Sequence, residues 1–343
     1  MALITDATLQ LIKGQLEARN NKLRAFAELY AETTWDAVQI DAKTLTVEQL
    51  LTKYPIGTEM VTHYTVDGNT YDMPWVVVAI RPVVKQDGNE HNGIILQMKY
   101  ASVEDIQFDA AEHEEATEET ALDGWYYCGL SGTTYTMLNL ATGDAVPYSS
   151  YDHVYHGSVN DARAYQYGYN RYKFSAMRQW LNSAGDVGEW WESQHNGDTA
   201  PSQLATRKGF MAGLDADFRA VIDPVKIQVA TNTVTDSGVT DVMYDKFFLP
   251  SIEEIYGAPQ AAGVEGAYWP YWKTITGLSE PSNSANNARK TPRLSSPTGS
   301  AVYLWLRSAT RGYLVEWVVG TGGNLYNGSA PNSYGAQAAC VIS

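Results

Sequence analysis

The sequence predicts an α+β fold, because helical and strand patterns occupy separate parts of the chain. A seven-residue apolar repeat indicates a helix near the N-terminus. Alternation of apolar and polar residues, typical of strands, begins at Pro55. Short helical patterns follow, and apolar strand patterns close the chain. These observations predict a helical segment at residues 1–53 and a larger mixed domain at residues 54–343.

The N-terminal segment carries an a/d heptad between residues 6 and 33. Asp6 can cap this helix, and Arg19 interrupts one of its two apolar rows. The pattern fits either a short coiled coil that forms an oligomer or an amphipathic helix packed on its own domain. A second helix is predicted at Val47–Lys53, capped by Thr46. The apolar rows consist of Leu9, Leu16, Leu23, Tyr30, Ile12 and Phe26.

The larger domain begins with strand patterns. "IGTEMVTHYTVDGNTYDMPWVVVAI" predicts a hairpin around its "VDGNTY" turn, and "NGIILQMKYA" predicts a further strand. An acidic stretch, "FDAAEHEEATEETALDG", predicts a solvated connection. Two or three small hairpins are expected at residues 124–157. Connection and hairpins together form a predicted insertion at about 109–168.

Helical patterns return in the second half of the chain. Helices are predicted in "FSAMRQWLNSAGDVGEWWESQ" and near "DADFRAVID", and Ser251 is expected to cap a helix in "SIEEIYG". Met177, Trp180 and Leu181 fall on one helical face and are predicted to be core. From about Ala258 the sequence is loop-rich, with a long irregular stretch at "GLSEPSNSANNARKTP".

Composition limits the classes of partner. The chain has 343 residues and a formal net charge of −15, which disfavours nucleic acid and anionic lipid. Its two cysteines build no disulfide framework. No run of 18 apolar residues predicts a membrane span, and the start does not resemble a secretory signal. We therefore expect synthesis in a reducing cytoplasm and no insertion into a membrane.

Motifs for catalysis are missing from the sequence. Neither a nucleophile elbow nor a Walker loop occurs, and "GTGGNL" does not have the spacing of a dinucleotide fingerprint. His153 and His156 are a weak metal signal without further ligands at matching spacing. Cys340, in "AACVI", is typical of an apolar strand residue. The sequence therefore predicts no enzyme activity, no cofactor and no metal site, although no motif excludes a carboxylate pair for glycoside hydrolysis.

One C-terminal stretch has an unusual composition. Residues 309–335 are 27 residues that lie between two apolar strand patterns, and 14 of them are Gly, Asn, Ser or Tyr. Arg311 and Glu316 are its charged residues. Tyr supplies rigid contact area, whereas Ser, Gly and Asn supply adaptable hydrogen bonds, as in antibody loops. The stretch is therefore predicted to be a binding surface.

Four motifs give the chain a family resemblance. The motifs are "NRYKFSAMRQWLNS" (170–183), "DKFFLPSIEEIYG" (245–257), "YWKTITGLSEPSNSANNARK" (271–290) and "YLWLRSATRG" (303–312). In this order, they resemble segments of C-type-lectin-fold proteins found in phages and prophages of gut bacteria, and the last resembles the variable region of a diversity-generating retroelement target. This tropism determinant-like resemblance covers roughly residues 55–343 and implies a C-type lectin-like domain.

The resemblance implies that adenine mutagenesis diversifies the last segment, so that Asn codons scatter to Tyr, Ser, Gly and similar residues. It assigns scaffold roles to Trp305, Leu306, Arg307, Ser308, Trp317 and Leu325. The positions that it assigns to ligand binding are Thr310, Arg311, Tyr313, Leu314, Glu316, Val318, Gly320, Gly322, Tyr326, Asn327, Gly328, Asn332 and Tyr334.

The implied function is adhesion to a host cell. The resemblance suggests a receptor-binding protein of the phage tail that presents residues 309–335 to a bacterial surface protein or glycan. The N-terminal segment is expected to make a homotrimer and to contact other tail proteins in the virion. The alternatives are a tail-associated glycan hydrolase and a structural virion protein that uses the C-terminal face for subunit contacts.

Overall fold

A computed structural model provides the structure of the chain. It describes part of the sequence. The described residues are 13–16, 19, 34–110, 125–131, 134–139, 145–147, 170–194, 198–232, 236, 238–258, 261, 263–276, 283–311 and 315–343.

Short helices flank the strands in the described ranges. Most are one or two turns long, so packing rather than helix propensity stabilises them. The α-helices are α1 (Trp35–Thr44), α2 (Val47–Lys53), α3 (Ala176–Leu181), α4 (Ala216–Val221), α5 (Ile252–Tyr256), α6 (Pro270–Thr276) and α7 (Asn283–Arg289).

The strands form several small sheets with antiparallel ladders. The first part of the chain contributes β1 (Glu59–Val66), β2 (Asn69–Val84), β3 (Glu90–Met98), β4 (Ile106–Gln107), β5 (Trp125–Ser131), β6 (Thr134–Asn139) and β7 (Ala145–Pro147). The second part contributes β8 (Val225–Ala230), β9 (Thr240–Asp245), β10 (Phe247–Phe248), β11 (Leu304–Ala309), β12 (Val315–Val319), β13 (Leu325–Ser329), β14 (Ser333–Tyr334) and β15 (Ala339–Ile342).

A five-stranded sheet joins the two halves of the domain. Its strand order is β1-β2-β3-β15-β10, so the C-terminal strand lies between an early strand and a later one. Cys340 pairs with Leu96 of β3 on one side and with Phe247 of β10 on the other. The last strand is therefore held on both edges, which fixes the end of the polar C-terminal stretch relative to the core.

The core lies against this sheet and is rich in aromatic rings. Trp75 of β2 packs on Phe218 of α4 with ring centroids 5.1 Å apart and on Phe247 at 6.0 Å. Phe210 continues the cluster to Trp180 of α3 at 5.2 Å. These five side chains are buried. Burying so large an apolar area is the main source of stability in a fold built from short helices.

Several sequence-based predictions of local structure are confirmed. Helix α2 has the expected bounds, and Thr46 forms a capping box with Gln49. Ser251 caps α5 in the same way, together with Glu254. The predicted β1–β2 hairpin turns at Asp67 and Gly68, whose φ angles of 50° and 75° are the left-handed values that such a turn requires.

Other predictions are corrected or remain outside the described residues. The stretch from Ala258 is less irregular than predicted, because α6 and α7 lie in it. Strands β5–β7 form a three-stranded sheet in the predicted insertion, whereas most of the acidic connection and the pair His153 and His156 lie outside the described residues.

The N-terminal helix is described at residues 13–16 and 19 alone, where it is helical and Leu16 is exposed. In the described ranges no helix is both long enough and apolar enough to cross a membrane. The architecture is a mixture of helices with mostly antiparallel strands in small sheets. A C-type lectin-like fold stays a prediction.

Candidate ligand-binding surface

Strand β11 is the buried support of the C-terminal stretch. All six of its residues are buried. Trp305 is fully buried and donates a hydrogen bond from Nε1 to the carbonyl oxygen of Ile106 at 2.8 Å. Its ring lies 5.5 Å from the ring of Phe108. The resemblance assigns scaffold roles to Trp305, Leu306, Arg307 and Ser308, and all four residues are buried.

Arg307 ties β11 to the segments that precede it. Its Nη1 donates to the carbonyl of Leu249 at 2.8 Å and to the carboxylate of Glu254, and its Nη2 donates to the carbonyl of Glu265 at 2.7 Å. Burial raises the pKa of Glu265, and the positive charge of Arg307 opposes that rise. Ser308 adds a hydrogen bond to the Glu265 carboxylate. A buried charge with this many partners fixes the position of the strand.

The sheet β11-β12-β13 arranges the C-terminal stretch in register. Val318 of β12 lies opposite Trp305 on one side and opposite Tyr326 of β13 on the other. Glu316 lies opposite Ala309 and Gly328. Directly opposite residues project to the same face of a sheet. Val318 and Glu316 therefore share the face of Trp305, which is turned towards the core.

Five of the positions that the resemblance assigns to ligand binding are buried rather than on the surface. The resemblance assigns Trp317 to the scaffold and Glu316 and Val318 to the ligand-binding positions of β12. The strand has the opposite phase, so Glu316 and Val318 are fully buried and Trp317 is half-buried. A shift of one residue in the assignment turns every side chain of a strand to the opposite face of the sheet. The buried positions are Thr310, Glu316, Val318, Gly320 and Gly328.

Glu316 is an unusual buried residue. Neither carboxylate oxygen has a hydrogen-bond partner in the described structure. Burial raises the pKa of Glu316 well above its ordinary value, and the negative charge of Glu265 raises it further. A buried acid without partners destabilises the folded state, because folding removes its hydration without replacing it.

The remaining described positions reach the surface. Tyr326 is 53% exposed. Gly322, Asn327 and Asn332 are also exposed, whereas Arg311 and Tyr334 are half-buried. Arg311 donates to the carbonyl oxygens of Thr231 and Gly238, each at 3.3 Å, and thereby holds the β8–β9 connection. Tyr313 and Leu314 lie outside the described residues. We call Gly322, Tyr326, Asn327, Asn332 and Tyr334 the candidate surface.

A series of aromatic rings connects the candidate surface to the core. The ring of Tyr303 lies 6.0 Å from that of Tyr326 and 5.0 Å from that of Tyr334. The ring of Tyr334 lies 4.6 Å from that of Trp305. Asn332 donates from Nδ2 to the hydroxyl of Tyr334 at 3.0 Å. The exposed Tyr326 therefore lies beside the partly buried ring of Tyr303.

Tyr334, which the resemblance assigns to ligand binding, reaches the surface only in part. It is half-buried against Trp305, and a Cβ atom added to Gly328 would lie 2.6 Å from its ring. Glycine is needed at position 328 for this contact. The sequence pattern also missed Tyr303, which belongs to the ring series, and Ser333, which is exposed beside it. The local sequence periodicity does not indicate that Tyr303 or Ser333 lies at this surface.

Charged groups elsewhere also line cavities. A cavity of about 280 Å³ lies behind β11 and includes Arg81, Lys226, Glu254 and Arg307. Arg81 lies 3.7 Å from Glu254, which also pairs with Arg307, so these charges largely compensate one another. In the described ranges, no cluster of three or more His, Cys, Asp or Glu residues could hold a metal ion. This cavity is best explained as part of the support of β11.

Comparison with protein families places this surface in a known sequence family. Residues 150–343 match the model described as Domain of unknown function (DUF6273). The chain belongs to that family. Curated proteins and solved structures gave no significant match. The DUF6273 region includes β10, β15 and the candidate surface, but β1, β2 and β3, which complete the five-stranded sheet, precede it.

Proposed function

We propose that this protein is a phage tail receptor-binding protein whose C-terminal stretch binds a ligand on the bacterial surface. The observation that carries the proposal is the candidate surface: exposed Tyr, Asn and Gly residues beside partly buried rings, on strands anchored in the core. Such surfaces combine rigid aromatic area with adaptable hydrogen bonding, as antibody paratopes do. The family resemblance of the four sequence motifs supports the same function.

Tyr326 is the central contact in this proposal. Its side chain is 53% exposed, and its described ring contact is with Tyr303 at 6.0 Å. An exposed ring supported from below loses little conformational entropy when a ligand covers it. Tyr is also enriched among residues whose truncation costs most in binding. Asn332, which donates to the hydroxyl of Tyr334 in the same ring series, offers amide groups to a polar ligand.

The rest of the proposal concerns assembly. The protein acts in the virion by binding rather than by catalysis, within a C-type lectin-like domain at residues 54–343. Residues 1–53 make a homotrimer and contact other tail proteins. The receptor is a protein or a glycan of the bacterial surface. The heptad and the four motifs support these statements, and the acidic net charge of −15 favours a partner other than nucleic acid.

The test is adsorption of labelled protein to gut-bacterial cells. We expect Tyr326→Ala to weaken adsorption about 30-fold, equivalent to the roughly 2 kcal/mol of a typical hot-spot residue. Val61→Ala is the matched control, because Val61 is also 53% exposed but lies in β1. Both variants should melt within a few degrees of the wild type, since exposed substitutions usually change stability by about 0.5 kcal/mol or less.

One outcome would contradict receptor binding, and another would contradict diversification of the surface. The first is a folded Tyr326→Ala protein that adsorbs to cells as strongly as the wild type. The second concerns the genome. Diversification requires a near-identical copy of the segment encoding residues 305–342, with differences at adenines, beside a reverse transcriptase gene. A genome that contains neither the near-identical copy nor the reverse transcriptase gene would mean that the surface is not diversified by a retroelement. Receptor binding would still be tested by the adsorption assay.

A further inference from the structure

Strand β13 is the outer strand of the sheet that carries the candidate surface. The order of that sheet is β11-β12-β13, so β13 pairs with β12 on one side and has no strand on the other side in the described structure. An outer strand presents a row of backbone N–H and C=O groups that can pair with a further strand. The residues of β13 are Leu325, Tyr326, Asn327, Gly328 and Ser329.

The hairpin that joins β12 and β13 determines which backbone groups face outward. Gly320 donates its backbone N–H to the carbonyl of Asn324 at 2.8 Å, which makes these two residues the first hydrogen-bonded pair of the hairpin. Hydrogen-bonded and non-hydrogen-bonded pairs alternate along an antiparallel ladder, so the backbone groups of Tyr326 and Gly328 point to β12. The residues of β13 whose backbone groups point away from the sheet are Leu325, Asn327 and Ser329.

Most of these outward groups are free. In the described ranges, the backbone N–H and C=O of Asn327 make no hydrogen bond, and neither do the N–H groups of Leu325 and Ser329. The carbonyl of Ser329 accepts from the N–H of Asn332 at 2.9 Å, which closes the far end of the edge. Asn327 is an exposed residue. The free part of the edge is therefore centred on Asn327.

Two other strand edges of the described structure are closed. On the opposite side of the same sheet, the backbone N–H of Trp305 in β11 donates to the carbonyl of Gly335 at 3.0 Å. At the edge strand β1, the carboxylate of Asp215 accepts the backbone N–H of His63 at 2.8 Å. Proteins usually protect an open edge with charged residues or proline, but β13 contains neither. The open edge of β13 is therefore suited to a partner strand.

Both ends of β13 are fixed to the rest of the domain. Before the strand, the hydroxyl of Tyr256 donates to the carbonyl of Gly323 at 2.9 Å. After the strand, the carbonyl of Ala330 accepts the backbone N–H groups of Phe108 and Asp109 at 3.0 and 3.1 Å. A strand that is held in this way loses little conformational entropy when a partner pairs with it.

We propose that the receptor contributes an extended peptide segment, which pairs with the free edge of β13 and extends the sheet by one strand. The free donors and acceptors recur at the two-residue spacing of a strand, which is the pattern that a further peptide strand presents. Such pairing places a side chain of the peptide directly opposite Tyr326, where an apolar or aromatic side chain is favoured. This inference rests on the proposed function and specifies that the receptor is a protein.

Paired substitutions at Asn327 test the backbone contact. Asn327→Pro removes the outward N–H but keeps the ladder with β12, because proline is tolerated where the N–H of an edge strand faces solvent. Asn327→Ala removes the side chain and keeps the N–H. We expect Asn327→Pro to adsorb to gut-bacterial cells at least about tenfold more weakly than Asn327→Ala, because hydrogen bonds to the peptide are lost.

A second pair of variants and a treatment of the cells complete the experiment. If Asn327→Pro melts well below the wild type, Ser329→Pro and Ser329→Ala replace the first pair, because the N–H of Ser329 also points outward. Cells are also digested with a broad-specificity protease before the assay. The wild-type protein should lose its adsorption to the digested cells and keep its adsorption to undigested ones.

Three outcomes would overturn this inference. Equal adsorption of the proline and alanine variants, while Tyr326→Ala still weakens adsorption, would mean that the edge of β13 is not used. Adsorption that survives protease digestion would identify a receptor other than a protein, and its loss after periodate oxidation would identify a glycan. A lower oligomer mass of Asn327→Pro in light scattering would mean that a second copy of this chain pairs with β13. A wild-type protein that adsorbs to no cells would instead contradict the proposed function, and this inference with it.

Discussion

Replacing Glu316 with leucine should stabilise the protein. The side chain is fully buried on β12, beside Val318 and opposite Gly328, and neither oxygen has a described hydrogen-bond partner. Leucine has a similar volume and brings apolar atoms into the same space. The substitution removes the desolvation cost of the carboxyl group without taking a partner away from any described residue.

The magnitude follows from the orphaned oxygens. A buried polar group without a partner costs about 1–3 kcal/mol, and a charged group costs more. Overpacking by a branched side chain offsets part of the gain. We therefore expect Glu316→Leu to increase the free energy of unfolding by about 1–3 kcal/mol at neutral pH. Glu316→Gln removes the charge but keeps an unpaired polar group, so its gain should be smaller.

The difference between wild type and Glu316→Leu should depend on pH. The folded-state pKa of Glu316 is raised well above its unfolded value, so the folded state retains a proton that the unfolded state releases. The stability that this retained proton contributes to the wild type is therefore fully present below about pH 4.3, the ordinary pKa of Glu. It is lost as pH rises towards the folded-state pKa of Glu316. The advantage of the variant should accordingly grow from pH 4 upwards.

Urea unfolding at a series of pH values measures this effect. Glu90→Leu is the control, because Glu90 is an exposed glutamate at the start of β3 and should change stability little. A Glu316→Leu variant that is less stable than the wild type at pH 7, or an advantage that shrinks as pH rises, would refute the reasoning. Either result would mean that the carboxylate has a stabilising partner in solution.

Three further predictions concern the support of the site and are measured by thermal or urea unfolding. Trp305→Ala should cost about 3–5 kcal/mol, because a buried ring and a hydrogen bond are lost; unchanged melting would contradict the scaffold role. Arg178→Met should cost about 3 kcal/mol, because the buried Asp245 loses its bidentate partner; a neutral effect would show that water replaces the guanidinium. Ser251→Ala should cost about 1 kcal/mol by removing the cap of α5, and a Ser251→Thr control should retain most of it.

Local features of the fold were predictable from sequence because their chemistry is local. The capping boxes at Thr46 and Ser251 need residues three positions apart, and the turn at Asp67 and Gly68 needs adjacent residues. The burial of Trp305 followed from an apolar strand pattern. In each case the residues that determine the structure are neighbours in the chain.

The phase of β12 could not be predicted in this way. An inward glutamate beside a half-buried tryptophan contradicts the usual preference of a core, and the resemblance, too, assigns the scaffold role to Trp317 rather than to Glu316 or Val318. The ion pairs of Arg207 were missed for another reason. Asp67, Glu104 and Arg207 are distant in sequence, and a single sequence has no signal for their contact.

Burial divides the positions that the resemblance implies to be diversified into two physical classes. At Val318, Asn or Ser would bury an amide or hydroxyl group beside Trp305 at about 1–3 kcal/mol, and at Gly328 any side chain would displace the ring of Tyr334. Tyr326 and Asn332 reach solvent, where substitutions usually change stability by about 0.5 kcal/mol or less. A protein with ordinary stability of about 5–15 kcal/mol can accept only a few changes of the first class. Any diversification that changes binding without loss of folding would therefore be confined to exposed positions such as Tyr326 and Asn332.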